Sequence, residues 1–467
     1  MENQQKRSNF TGSIGFVLAA AGSAVGLGNI WRFPYLAAKD GGGVFLLCYI
    51  ILALTFGFTL LTTEIAIGRK TGQSPLTAYK QLSSKWGWIG YLAVIIPGLI
   101  LPYYSAIGGW IFKYLFSYVS GGAKDMMSDS YFTGFITSQW EPIFWFVLFI
   151  GATTFVVYKG VNSGIEKLSK ILMPALLVLI IAIAVFSLTL SHTDENGVTR
   201  TGLEGFMVYV IPDFTGMTFD KFITILMDAM GQLFYSISVA MGIMITYGSY
   251  VKNETNLSKS VNQIEIFDTI VAFLAGMMII PAVYAFRGVE GMAKGGPSLM
   301  FVSLPKVFGA MGDIGVVVAV IFFIMVIFAA LTSSISIMEA LVSSAMDKLH
   351  TSRKKSTLLV ALIALVLGLV VCLGYNIFYF DLTLPNGTVG QILDLLDYIS
   401  NYVLMPVVAI ATCILIGWVV KPKTIIDEVT LNGEKFSRRQ LYNVMIKFVT
   451  PVMLLFLLLQ SLGIFKY

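Results

Sequence analysis

The sequence predicts an all-α membrane protein with about eleven transmembrane helices, and two observations support this fold class. Of the 467 residues, 57% are hydrophobic and only 12% are charged, whereas roughly a quarter of the residues in a soluble globular domain are charged. The apolar residues recur in long runs, and a helix needs roughly 20 apolar residues to cross a bilayer. Closed barrels also satisfy their backbone in lipid, but barrel strands are much shorter than these runs.

The apolar runs are separated by polar loops, and each run is taken as one span. The eleven predicted spans are residues 13–37, 43–69, 87–118, 142–158, 164–188, 220–250, 265–286, 314–346, 357–377, 389–419 and 445–464. The polar start of the chain and the long, glycine-rich first run are not typical of a cleaved signal peptide. We therefore expect one transmembrane domain that contacts the lipid bilayer directly.

Basic residues concentrate in alternate loops. Lysines and arginines cluster before span 1 and after spans 2, 6, 8 and 10, whereas 119–141 holds only Lys124 and 189–219 only Arg200. Basic loops favour the cytoplasmic side of a membrane. We therefore predict a multi-pass protein of the plasma membrane, with its N-terminus in the cytoplasm and, because the number of spans is odd, its C-terminus outside.

Residues that carry enzymatic or metal chemistry are few. Cys48, Cys372 and Cys413 lie singly in apolar runs, and His192 and His350 have no partner at metal-binding spacing. The sequence contains no phosphate-binding loop, nucleophile elbow or metal cluster. We therefore expect neither an enzyme nor an organic cofactor, and no nucleic-acid partner.

Spans 1 and 6 carry small and polar residues at mid-membrane, at 24–29 and 236–242. Because glycine is a poor helix former, these stretches favour broken helices, although close packing through small residues is the alternative. The two spans would cross in opposite directions, five helices apart. This arrangement favours an inverted five-plus-five repeat with a binding site at the midplane. The repeats would cover about 13–188 and about 220–419, with an extra helix at about 445–464.

Four motifs, in spans 1, 2 and 8, are similar to those of a known family. Residues 22–34, which read Gly-Ser-Ala-Val-Gly-Leu-Gly-Asn-Ile-Trp-Arg-Phe-Pro, resemble the first-helix signature of the neurotransmitter:sodium symporter family. Residues 40–43 and 64–69 resemble its second-helix region, and residues 331–334 its eighth helix. The resemblance runs in register over nearly the whole chain and points to the bacterial amino acid transporter branch. It implies the leucine-transporter fold and symport of an amino acid with sodium.

The resemblance implies two sodium sites, each built from backbone and side-chain oxygens. One would use the carbonyls of Gly22, Val25 and Ala329 with the hydroxyls of Thr332 and Ser333. Without the motif in span 1, the hydroxyls in span 8 would be expected to bond to carbonyls of their own helix.

The second sodium site would share its ligands with the substrate. It would use the Ala24 carbonyl, the Asn29 amide oxygen and the Ser236 hydroxyl, and the substrate carboxylate would complete it. Because each ligand would be part of the other's site, binding of the two would be coupled.

Asp268 is the ionisable residue that most strongly indicates function. A carboxylate within a membrane span marks a functional site by default, although a position at the wet interface is the alternative. Asp268 matches a position where many family members have a sodium-binding Asn, with Phe267 as the competing alignment. Ala272 stands where chloride-dependent relatives have a Ser. A carboxylate already in place would make chloride unnecessary.

The resemblance also implies where a substrate would bind. Its carboxylate would lie against the amides of Gly26, Leu27 and Gly28, where the ends of half-helices favour an anion, and would bond to Tyr104. Relatives that carry monoamines have Asp at the position of Gly26. Glycine there favours an amino acid over a decarboxylated amine.

The substrate side chain would lie in a mainly apolar pocket that also includes Ala24 and Ser236. Its other predicted lining residues are Ile100, Tyr235, Ser238, Met241, Ser333 and Ile337. None is charged, and Met241 is flexible enough to repack around a large group. We therefore expect a neutral hydrophobic or aromatic amino acid.

Two charged pairs would close the site in turn. Arg32 and Asp397 would form the outer gate, and Arg7 and Asp347 the inner gate. A proton-coupled transporter or exchanger of the same fold, or an amino-acid sensor, remains the alternative, and the sequence leaves the oligomeric state open.

Overall fold

The computed structural model describes residues 9–194, 197–291 and 297–464. Within these residues, nine continuous helices are long and apolar enough to cross a membrane. They are span 2 (Gly43–Thr71), span 3 (Ser84–Val119), span 4 (Glu141–Lys159), span 5 (Val161–Leu188), span 7 (Leu257–Gly288), span 8 (Asp313–Leu349), span 9 (Arg353–Leu373), span 10 (Ile392–Val419) and span 11 (Arg439–Ser461). Together with two broken spans, they confirm the predicted fold class.

Spans 1 and 6 are both interrupted, as the sequence predicts. Span 1 consists of Ser13–Ala24 and Gly28–Lys39, bent by 53° at the break, and span 6 of Phe219–Ser236 and Ile243–Gly248. In the second break Ser238, Ala240 and Gly242 have φ angles of 55°, 62° and 74°. Since residues other than glycine rarely adopt this left-handed conformation, surrounding contacts must hold it in place.

Three predicted spans are displaced in the structure. Span 7 begins at residue 257 rather than 265, span 11 begins at 439 rather than 445, and span 9 covers 353–373 rather than 357–377. The missed first turns contain polar residues such as Lys259 and Asn262. These polar residues continue the helix but do not extend its apolar run, so the length of the apolar run underestimates the length of the helix.

Short elements connect the spans. Two small antiparallel sheets pair Ser191–Thr193 with Thr199–Thr201 and Leu382–Thr383 with Val389–Gly390. The connecting α-helices are Pro75–Leu82, Asp129–Thr137, Gly202–Val210, Leu304–Ala310 and Lys423–Val429.

Burial separates a central group of helices from a peripheral one. The most apolar stretches of spans 2 and 3 are 72% and 67% buried inside the protein, whereas those of spans 4 and 11 are each 33% buried. Spans 3 and 8 pack against each other, and span 1 packs against spans 7 and 8. The broken helices therefore lie inside the protein, where their free backbone groups can be satisfied away from lipid.

Glycines allow span 2 to approach the second half of span 6 closely. A Cβ atom on Gly248 would lie 2.3 Å from the Ile65 carbonyl oxygen, and one on Gly68 would lie 2.0 Å from the Ile245 carbonyl oxygen. These contacts are shorter than van der Waals distance, and both involve backbone. The packing of this half-helix therefore requires glycine at both positions.

We expect Gly248→Ala to destabilise the protein by about 1–3 kcal/mol, because the added methyl group forces two backbones apart. Thermal unfolding in detergent, followed by circular dichroism, measures the change. Gly151→Ala in span 4 is the matched control, since a Cβ there meets no atom within 4 Å. Equal melting temperatures for the two variants would contradict the close approach.

Candidate functional site

A cavity of about 370 Å³ lies where the breaks of spans 1 and 6 face spans 3, 8 and 10. All twelve residues expected to bind substrate line it, and they come from four different spans. They are Ala24, Gly26, Leu27, Gly28, Ile100, Tyr104, Tyr235, Ser236, Ser238, Met241, Ser333 and Ile337.

One cluster of oxygens joins span 1 to span 8. The Ser333 hydroxyl lies 3.3 Å from the Gly22 carbonyl oxygen and 3.4 Å from that of Val25. The Thr332 hydroxyl donates to the Ala329 carbonyl of its own helix at 3.1 Å, which is the bond that ordinary helix packing would also give. Its lone pairs remain available to a cation. The five oxygens expected at the first sodium site therefore come from one region of the structure.

A second cluster surrounds Asp268, which is 1% exposed. Its carboxylate accepts hydrogen bonds from the Asn29 amide at 2.8 Å, the Ser236 hydroxyl at 3.1 Å and the Tyr49 hydroxyl at 3.2 Å. The wet-interface alternative is therefore wrong for Asp268. Tyr49 could not be assigned to this cluster from the sequence, because a tyrosine in an apolar span is usually a packing residue.

The amide of Asn29 is only half satisfied. Its nitrogen bonds to Asp268, while its oxygen is buried and has no hydrogen-bond partner within the part of the chain that the structure describes. A buried acceptor without a donor is costly. A cation would satisfy this oxygen and would compensate the buried negative charge of Asp268 at the same time.

Gly26 lies close to two hydroxyl groups, so that a side chain at this position would press against both. A Cβ atom there would lie 2.9 Å from the Ser333 hydroxyl oxygen and 3.3 Å from the Tyr104 hydroxyl oxygen. The Tyr104 hydroxyl is buried without a hydrogen bond of good geometry in the described chain. A small acceptor such as a carboxylate oxygen would fit beside it.

The rest of the cavity wall is mainly apolar. Ile100, Met241 and Ile337 line it and are nearly fully buried. The Ser238 hydroxyl is already used, since it donates to the Ser23 carbonyl oxygen at 2.9 Å and also contacts the Ser23 hydroxyl. This part of the wall therefore presents no charge to a ligand, whereas Arg32, Asp394 and Asp397 line the same cavity elsewhere.

Two polar side chains hold the broken backbones, and sequence reasoning did not assign this role to either. Glu64 in span 2 accepts a hydrogen bond from the Ala240 amide at 2.6 Å, and Gln232 donates to the Gly28 carbonyl at 3.1 Å. Both side chains are buried inside spans. Their position within apolar spans was the signal that could have indicated this role, because a carboxylate or an amide is rare there unless it has a partner.

Arg32 and Asp397 line the same cavity, but the ion pair predicted between them is not among those formed by the described residues. The Arg32 guanidinium instead stacks on the ring of Tyr235, with the guanidinium carbon 4.5 Å from its centroid. Asp397 accepts hydrogen bonds from Tyr103 at 2.9 Å and Asn401 at 2.6 Å. Each charge therefore has other partners.

The predicted inner pair is only partly visible, because Arg7 lies outside the described residues. Asp347 accepts a hydrogen bond from the Ser74 amide at 2.8 Å. Nearby, Glu339 is fully buried, accepts from Tyr250 at 2.6 Å and forms an ion pair with Arg353. This buried network connects spans 6, 8 and 9 at the membrane face opposite Asp397.

Glu166 in span 5 holds the start of span 1. Its carboxylate accepts the Thr11 amide at 2.9 Å and the Thr11 hydroxyl, and it pairs with Lys170 at 2.7 Å. A carboxylate at a helix start satisfies free amides and complements the helix dipole. Nothing in the local sequence indicated this contact, since the two residues are 155 positions apart.

Comparisons with known proteins agree with this geometry. The model of the sodium:neurotransmitter symporter family matches residues 7–124 and 138–467. The uncharacterized sodium-dependent transporter YhdH of Bacillus subtilis strain 168 is 32% identical, and the alignment covers 100% of both chains. The sodium- and chloride-dependent GABA transporter 2 of Rattus norvegicus is 26% identical over 81% of this chain and 69% of that one.

A solved structure is also similar over nearly the whole chain. The crystal structure of MhsT in complex with L-phenylalanine is 34% identical, covers 97% of this chain and 100% of its own, and has a TM-score of 0.83. The chain therefore belongs to the sodium:neurotransmitter symporter family. It is a sodium-dependent membrane transporter with the leucine-transporter fold and not an enzyme, which confirms the family resemblance of its motifs.

We expect Ser333→Ala to weaken sodium binding about tenfold, because it removes one of few oxygens in the cluster of spans 1 and 8. The measurement compares melting temperatures in sodium and potassium at equal ionic strength, since a ligand of the folded state stabilises it. The control is Ser344→Ala, whose hydroxyl donates to the Ala340 carbonyl of its own helix at 2.7 Å. Equal stabilisation by sodium in both variants would contradict this role.

Proposed function

We propose that this protein is a symporter that uses the sodium gradient to carry neutral hydrophobic or aromatic L-amino acids into the cell. The observation that carries the proposal is a single cavity lined by residues of both oxygen clusters and also by Gly26 and the Tyr104 hydroxyl beside it. A carboxylate, an apolar side chain and two cations could be accommodated next to one another there.

Sodium would be transported together with the amino acid, and two ions would bind. The first would be held by Gly22, Val25, Ala329, Thr332 and Ser333. The oxygen atoms there are the kind that a hard cation prefers, and the Ser333 hydroxyl already contacts three carbonyls of span 1, those of Gly22, Ser23 and Val25.

The second ion would bind at Ala24, Asn29, Ser236 and Asp268, next to the substrate carboxylate. The unpartnered Asn29 oxygen and the buried Asp268 support this site. The carboxylate of the amino acid would be shared between this ion and the amides of the break in span 1. Such sharing is a physical basis for coupling.

The choice of a hydrophobic or aromatic side chain rests on the apolar wall formed by Ile100, Met241 and Ile337. The similar MhsT was crystallised with L-phenylalanine, which supports the aromatic end of this range. The more distant relative named for GABA carries a different substrate, so family membership alone does not select one.

Transport would proceed by alternating access between the two faces of the membrane. The distribution of basic loops supports an N-terminus in the cytoplasm and a C-terminus outside. With that orientation, Arg32 and Asp397 would gate the outer side, and Asp347 with Arg7 the inner side. The two repeats, 13–188 and 220–419, would rock against each other around the site.

The test is uptake of a panel of labelled amino acids into proteoliposomes, with an inward sodium gradient or with potassium in place of sodium. We expect phenylalanine, tyrosine, tryptophan or leucine to accumulate only with sodium, and charged amino acids not to accumulate. Uptake that ignores sodium and follows a proton gradient would favour the proton-coupled alternative. Exchange without net accumulation would favour an exchanger.

A second arm of the same assay replaces chloride by gluconate. We expect unchanged uptake, because Asp268 already supplies the negative charge that chloride would add beside the sodium site. The rat relative is named as chloride-dependent, so the comparison is informative. A strict chloride requirement would contradict this account of Asp268.

A further inference from the structure

The two residues of the proposed outer gate are each held by uncharged neighbours. Asp397 accepts hydrogen bonds from Asn401 at 2.6 Å and Tyr103 at 2.9 Å, and Asn401 also donates to the Tyr103 hydroxyl at 3.1 Å. These three side chains form a closed triangle. One oxygen of the Asp397 carboxylate, Oδ1, is therefore held by two neutral donors.

Arg32 is held on the other side by two aromatic rings. Its guanidinium carbon lies 4.5 Å from the centroid of the Tyr235 ring and 5.7 Å from that of Tyr402. The two rings are 5.2 Å apart. Asp228, which pairs with Lys39 at 3.0 Å, lines the next cavity outward together with Arg32.

Both groups of neighbours depend on one short segment of span 10. Asn401 and Tyr402 are consecutive residues of the π-helical stretch Tyr398–Leu404, which directly follows Asp397. Wide turns of this kind are rare and often occur at functional sites. Two adjacent residues of the stretch thus contact different members of the gate, since Asn401 contacts Asp397 and Tyr402 contacts Arg32.

We propose that Asn401 and Tyr402 are positioning residues that keep the outer gate open. The Arg32–Asp397 ion pair forms only when Asn401 releases Asp397 and Tyr402 releases Arg32. This inference rests on the proposed function, which assigns the gate. Asn401, with Tyr103, holds the anion, and Tyr402, with Tyr235, holds the cation.

The gate has two arrangements, one with Arg32 and Asp397 paired and one with each held by its uncharged neighbours, and their free energies are close to each other. An ion pair that solvent can reach gains little, because its attraction is offset by desolvation and lost side-chain freedom. A hydrogen bond to a carboxylate and a cation stacked on a ring are each favourable alternatives. Loss of one competing side chain is therefore enough to shift the gate toward closure.

The experiment measures how fast a cysteine at Ile100 reacts with a water-soluble thiol reagent added from outside. Ile100 lies on span 3, one turn from Tyr103, and lines the same cavity as the gate residues. With sodium present and no amino acid, we expect Asn401→Ala to slow labelling about fivefold or more, and Tyr402→Ala to slow it in the same direction. Cys48, Cys372 and Cys413 are buried, and the chain without the Ile100→Cys change gives the background rate.

Two further variants separate gating from general damage. Ser344→Ala in span 8 removes a hydroxyl that bonds to the Ala340 carbonyl of its own helix at 2.7 Å and leaves the gate residues unchanged, so labelling should match the parent. Asp397→Asn removes the ion pair. In that background Asn401→Ala should have no further effect on the labelling rate.

Equal labelling of Asn401→Ala and its parent would overturn the inference, as would the same slowing in the Asp397→Asn background. The assay needs no transport. If the protein failed to accumulate amino acids, the proposed function would fall while the labelling contrast would still report on this gate.

Discussion

The structure depends on one constraint, which is that a backbone inside a membrane must find hydrogen-bond partners within the protein. The breaks in spans 1 and 6 leave amides and carbonyls at mid-membrane without their usual helical hydrogen bonds. Glu64 and Gln232 satisfy two of these groups, because Glu64 accepts from the Ala240 amide and Gln232 donates to the Gly28 carbonyl. The groups that remain unsatisfied are those that we propose to bind ions and a carboxylate.

The oxygens left over are not spread evenly. Ser333 brings span 8 against the carbonyls of span 1, while Asp268 brings span 7 against Asn29 and Ser236. Each cluster therefore connects a broken helix to a continuous one. Occupation of either cluster by a cation would strengthen the contact between those helices, so that ion binding and helix position would influence each other.

Sequence reasoning reached the helix breaks because their signals are local, and it reached the cavity lining through the resemblance of the motifs to the symporter family. Small and polar residues at 24–29 and 236–242 predicted the breaks, and the motif of span 1 placed the site. Contacts between distant residues were not predictable in this way, such as Glu166 with Thr11. Arg32 and Asp397 were matched by charge alone, and this reasoning overlooked the neutral donors Tyr103 and Asn401.

The central claim is that sodium and the amino acid share one site, and reciprocal binding tests it most directly. Phenylalanine binding to the purified protein is titrated at a series of sodium concentrations, and sodium binding at a series of phenylalanine concentrations. We expect sodium to raise the affinity for phenylalanine and phenylalanine to raise the affinity for sodium by the same factor, because coupling between two sites is mutual. A phenylalanine affinity that stays constant from sodium-free buffer to saturating sodium would contradict it.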